Sequence, residues 1–143
     1  MRAMRIPWLV SLFLLLVAVA APASAAGARQ RAKLDEVQVA YASALRWSDY
    51  ESAWQLVDPE VRAQRPLTGL ELERYRQLQV SSYREGGNGV LDDGTVVRAV
   101  EVGVVNRHTQ SERVIRYEER WRWDPEAKRW WQMAGLPDFW EGL

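Results

Sequence analysis

One carboxylate in this sequence stands where chemistry could be done. From Gln110 to Asp124 the side chains alternate, with Ile115, Tyr117, Glu119, Trp121 and Trp123 on one parity and Glu112, Arg116, Glu118, Arg120 and Arg122 on the other. Alternation of that length predicts a strand with one buried face, and the aromatic parity must turn toward the core. Glu119 then lies between Tyr117 and Trp121 on the apolar side, where a carboxylate withdrawn from water can act as a general base or anchor a ligand. Tyr117, Tyr83 or Tyr41 could donate to an oxyanion beside it. The preferred reading is structural: an ion pair with Arg46, Arg62 or Arg65 (from the helices or the Val61-to-Pro66 connection), or a hydrogen bond to a tyrosine, because buried charges are usually paired.

Few other chemistries have the residues they need. There is no cysteine, which excludes disulfides, cysteine-ligated metal, a thiol nucleophile and a lipidated cysteine. The one histidine, His108, falls in a polar turn, so no metal site and no cofactor is expected. Asp92-Asp93-Gly94 is too short for a calcium loop and reads as a turn. Nineteen basic residues balance nineteen acidic ones, and Arg113, Arg116, Arg120 and Arg122 interleave with glutamates as cross-strand pairs, so no nucleic-acid partner is expected.

The chain opens with Arg2 and Arg5, then a Leu-rich run from Ile6 to Ala21, then Ala23-Ser24-Ala25. This order is that of a secretory signal peptide, residues 1–25, cleaved between Ala25 and Ala26. The run is short of the roughly 20 residues that span a bilayer, so membrane contact is expected only through this segment, and a periplasmic or secreted location follows. The remaining 118 residues form one domain, 26–143, with 17 basic and 19 acidic groups, a formal charge of −2. That length can bury a core without disulfides.

Helices must position the strand. Leu34, Val37, Tyr41, Ala44 and Leu45 recur at helical spacing, with Lys33, Glu36, Gln38 and Arg46 on the other face. Ser48 and Glu51 have the spacing of a capping box before a second helix carrying Tyr50, Ala53, Trp54 and Val57, which Asp58-Pro59 ends. Thr68 and Glu71 repeat the box before a third helix. Extended structure is predicted near Gln79 to Tyr83, turns at Gly86-Gly87-Asn88-Gly89 and Asp92-Asp93-Gly94, and strands at Thr95 to Arg107, Gln110 to Asp124 and Lys128 to Ala134. The expected class is α+β, N-terminal helices on an antiparallel meander.

The segment Tyr41 to Pro59, the element order and the tryptophan-rich hairpin from Tyr117 to Met133 resemble the nuclear transport factor 2-like superfamily. The resemblance covers nearly all of the domain and implies a cone: helices packed in the concave side of a strongly bent sheet. It also implies a choice of roles, since that fold serves ketosteroid isomerase, scytalone dehydratase and polyketide cyclases as well as non-catalytic exported domains. The first expectation is a non-catalytic exported domain binding a small apolar ligand or a protein partner. The others are a lyase or isomerase with Glu119 as base, and a membrane-anchored periplasmic assembly component similar to inner-membrane parts of type IV secretion.

Tyr41, Trp54, Tyr83, Tyr117, Glu119 and Trp121 would line a ligand pocket in such a cone. Seven of the eight tryptophans follow the signal segment. Trp130 and Trp131 are adjacent and must face opposite sides of the sheet, so one ring lies on the outer face beside a valine-rich strand. An apolar outer face suggests a homodimer through the sheet, as the resemblance also implies, unless the Leu136-to-Trp140 segment folds back over it.

Overall fold

The computed structural model describes residues 21–141. The chain divides into two units, Met1–Ala32 and Lys33–Leu143. Of the first, the described part is the opening of helix α1 (Ala21–Arg46), and the proposed cleavage residues Ala25 and Ala26 are exposed within it. Most of the signal segment, residues 1–20, lies outside the described residues. No described helix is long and apolar enough to cross a membrane.

The second unit carries α2 (Tyr50–Gln55), α3 (Pro59–Gln64), α4 (Gly69–Arg76) and strands β1 (Leu78–Val90), β2 (Val96–Asn106), β3 (Glu112–Asp124) and β4 (Arg129–Gln132). The strands pair in sequence order, all antiparallel, in one four-stranded sheet. The α+β meander expected from the sequence is what forms. Leu34, Tyr41 and Leu45 of α1 join Val80, Val100, Val102, Ile115 and Trp121 in one core.

Several local expectations are corrected. Ser48 does not cap α2: its φ is 56°, and its Oγ accepts the Val80 N–H at 3.0 Å, while Asp49 caps the helix through the Ser52 N–H at 3.1 Å. Asp58-Pro59 ends nothing. Asp58 accepts from the N–H groups of Glu60 and Val61, and Pro59 opens α3, the first-turn position where its missing N–H costs no bond. At Thr68 the reciprocal box with Glu71 is present.

Gly86 to Gly89 is no turn but part of β1. Glu85 pairs with Val100 and Asn88 with Arg98, so an extra residue bulges between them. A Cβ on Gly86 would lie 3.2 Å from the Ala99 carbonyl, tight enough to favour glycine there. The true turn is Asp92 to Gly94, with Gly94 at φ 84° and the Leu91 N–H bonded to the Thr95 carbonyl at 2.8 Å. Gln38, assigned to the polar face of α1, is instead buried and donates to Asn88 Oδ1 at 2.9 Å.

The outer edge of β1 is tied to the helices by side chains. Besides the Ser48 contact to Val80, the Tyr50 hydroxyl donates to the Leu78 carbonyl at 2.8 Å and Arg46 to the Tyr83 carbonyl at 3.2 Å.

Trp130 and Trp131 do face opposite sides, paired with Trp123 and Arg122, yet both are buried. Arg129 stacks 3.8 Å from the Trp131 ring, so the expected exposed outer ring is absent. The C-terminal segment does not cover that face either: Phe139 packs on Tyr50 and Tyr75, and Trp140 on Tyr75. Val114 alone among large apolar residues of β3 is open, 64% exposed.

Candidate functional site

The register of β2 against β3 sets Arg98 directly opposite Glu119. Both lie on the buried parity, Glu119 wholly inaccessible and Arg98 8% exposed. Arg98 Nε donates to Glu119 Oε2 at 3.0 Å and its Nη2 to Oε1 at 3.1 Å, a two-pronged pair. Trp121 Nε1 donates to Oε2 at 2.8 Å, and the Tyr83 hydroxyl donates to Oε1. A carboxylate has about four lone-pair sites, and these four donors occupy them.

The partner is thus Arg98, not Arg46, Arg62 or Arg65. Arg46 instead pairs with Glu85 at 2.8 Å, and Arg62 donates to Gln55 at 3.0 Å. Cross-strand opposition brings Arg98 into contact with no loop or helix needed. Burial presses the Arg98 guanidinium toward neutrality, but the hydrogen bonds and charge of Glu119 outweigh it and hold it above its ordinary value. The residue could have been found in the sequence: Arg98 sits on the same parity as Val96, Val100 and Val102, a lone cation on an apolar face.

Tyr41 and Tyr117 form a second network beside the first. Their hydroxyls are 2.7 Å apart and lie 3.0 and 3.1 Å from the Gly135 carbonyl oxygen. Gln132, fully buried, donates through Nε2 to that carbonyl at 2.9 Å and to the Tyr117 hydroxyl. The Tyr41 ring meets Trp121 edge to face at 5.5 Å, linking the two networks. Burial is the main cause that pushes the Tyr41, Tyr83 and Tyr117 hydroxyls well above the usual tyrosine range, with the Glu119 charge adding to it in each.

Five of the six expected pocket residues therefore come together, but as hydrogen-bonded core. Trp54 lies elsewhere, half-buried in a cleft of about 330 Å³ with Val61, Arg65, Leu67, Tyr75 and Leu136. Half burial sets the expected cost of Trp54→Ala at about 1–2 kcal/mol, below the range for a fully buried ring. Urea denaturation measures it, and a loss above about 3 kcal/mol would mean the ring is core. His108 is exposed in the β2–β3 turn. Among the described residues no cluster of His, Asp or Glu has the geometry to hold a metal ion.

Comparison with protein-family models, curated proteins and solved structures finds no match to this chain.

Proposed function

We propose that this chain is an exported, non-catalytic domain of the nuclear transport factor 2-like type, acting by binding a small apolar ligand or a protein partner. The carrying observation is the saturation of Glu119. A general base needs a free lone pair facing substrate, and every acceptor site of this carboxylate is taken by Tyr83, Arg98 and Trp121. Binding on the surface asks nothing of that core. The cone is supported by the order of helices then meander and by the packing of α1 against the strands.

Hydrogen exchange of the Trp121 indole N–H tests the reading. Exchange only through global unfolding is expected of a sealed ion pair, while exchange as fast as in an open peptide would mean solvent, and hence substrate, reaches Glu119. Export belongs to the same proposal, supported by the small residues Ala23 and Ala25. The intact mass of periplasmic material is expected to begin at or within a few residues of Ala26, and a mass retaining the Leu-rich segment would revive the anchored alternative. Pairing of two copies through the outer sheet face is also proposed, supported by exposed Val114 among ion pairs such as Arg116–Glu101 and Arg120–Glu118.

A further inference from the structure

Two clefts run between the α3–α4 corner and the chain that follows β4. The cleft of about 330 Å³ holds Trp54, and a second of about 310 Å³ is lined by Arg74, Asp138 and Trp140. Arg65, Glu71 and Tyr75 line both, so the two meet in one groove. Glu119, Tyr83, Arg98 and Trp121 line neither cleft, which sets the groove apart from that sealed core.

The atoms left open in the groove are of both hydrogen-bonding kinds. Glu71 Oε2 accepts from the Thr68 N–H and hydroxyl at 2.9 and 3.0 Å, and Asp138 Oδ1 accepts from the Trp140 N–H at 2.9 Å. Glu71 Oε1 and Asp138 Oδ2 have no donor among the described residues. Arg74 lies 4.2 Å from the Trp140 ring, and neither it nor Arg65 is in an ion pair among the described residues. Two cations thus stand with two carboxylates, and the groove has no net charge. Tyr75 adds no donor, because its hydroxyl is spent on the Pro137 carbonyl at 2.9 Å. Trp54 is half-buried, with no ring or cation against it among the described residues, and its Nε1 has no acceptor yet is not sealed from water.

These features select among ligands. An ion gains little net attraction from balanced charges, and an apolar body would desolvate four charged groups without giving them partners. A proline-rich peptide suits an aromatic groove but brings carbonyl acceptors and few donors, so Glu71 and Asp138 would go unserved. A pyranose has what remains: a flat C–H face for an indole, and hydroxyls that donate and accept at once. We propose that this groove binds a neutral pyranose oligosaccharide, one ring on Trp54 and hydroxyls of the next donating to Glu71 Oε1 and Asp138 Oδ2, with Arg65 and Arg74 as donors to it. This ligand class goes beyond the apolar ligand or protein partner above and rests on neither.

The test titrates cellotriose, maltotriose and triacetylchitotriose separately into the exported chain, followed by amide and indole NMR and by calorimetry. Saturable binding of at least one is expected, at least tenfold tighter than that of its own monosaccharide, with the largest shifts at the Trp54 indole N–H and the Glu71 and Asp138 amides. Trp54→Ala is expected to weaken that sugar at least tenfold. Glu71→Gln keeps the capping box, which glutamine also makes, and replaces only the free acceptor by an NH₂ group. It is expected to weaken the sugar at least threefold with unchanged circular dichroism, and it decides the matter should Trp54→Ala misfold. Affinity is expected to hold within twofold as salt rises, because the ligand carries no charge.

Hexaproline is titrated in parallel. Binding of hexaproline and of none of the sugars would identify a peptide groove and overturn the proposal. Absence of saturable binding by all three sugars, affinity no greater than for the monosaccharides, shifts confined to other surfaces, or full affinity in Glu71→Gln overturns it equally.

Discussion

Glu119→Gln is expected to lower the stability of the domain by about 3–5 kcal/mol at neutral pH, the range for breaking a buried ion pair by changing one partner. The side chains are nearly the same size, so the loss is electrostatic. Gln offers one acceptor oxygen and one NH₂ group where four donors converge. The Tyr83 hydroxyl can rotate to accept, but Arg98 spans both positions and cannot. The substitution therefore leaves a guanidinium that is 8% exposed without its counter-charge and drives an NH₂ against an N–H. Denaturation midpoints of the two proteins measure the effect. An unchanged or raised midpoint would identify Glu119 as a carboxylate retained for function at a cost in stability. A companion variant separates charge from hydrogen bonding: Arg98→Met with Glu119→Leu is expected to recover only part of the loss, since it removes the stranded cation but leaves the Tyr83 hydroxyl and the Trp121 indole N–H without their acceptor.

Alkaline pH is expected to unfold the domain steeply. Tyr41, Tyr83 and Tyr117 are held neutral in the folded chain by burial and by the Glu119 charge, their ionisation moved well above the usual range. The unfolded chain releases those protons near pH 10, so above that point it binds fewer protons than the native state and stability falls as pH rises. Each of the three contributes about 1.4 kcal/mol per pH unit, and together they remove about 4 kcal/mol per unit. The contribution is fully present below about pH 10, where both states hold the protons. Tyrosinate absorbance should therefore appear together with loss of far-ultraviolet circular dichroism. Ionisation of these three tyrosines in a still-folded chain would show that water enters the core at Glu119.

Sequence patterning reached the face of each strand but not its partner. The side-chain period of two decides parity from one segment alone, which is why Glu119 and Trp121 were assignable to the core. Opposition of Arg98 and Glu119 depends on the register of two segments, set by the turn that joins β2 to β3, and no single stretch encodes it. The same limit explains Gly86 to Gly89: glycines suit a turn and a bulge equally, and the strand they pair with decides. Capping was legible at Thr68, where both halves of the box lie within four residues. At Ser48 it failed because the hydroxyl is claimed by Val80, 32 residues away. Asp58-Pro59 marks a helix boundary in either direction, and its reading as a stop overlooked proline's fitness to begin one.

The side chains of Arg46, Ser48 and Tyr50 along β1 have a consequence for how molecules of this chain meet each other. An edge strand is a template: its outward N–H and C=O groups invite another strand, and long open edges are where aggregation by strand addition starts. Here the carbonyls of Leu78 and Tyr83 and the N–H of Val80 are already spent on side chains. A strand arriving along the first half of β1 meets occupied rungs, and any pairing there must first displace the helical corner. The second half, from Gly86 to Val90, is exposed and built of residues with little β-propensity apart from Val90, which makes it a poor seed for a growing sheet.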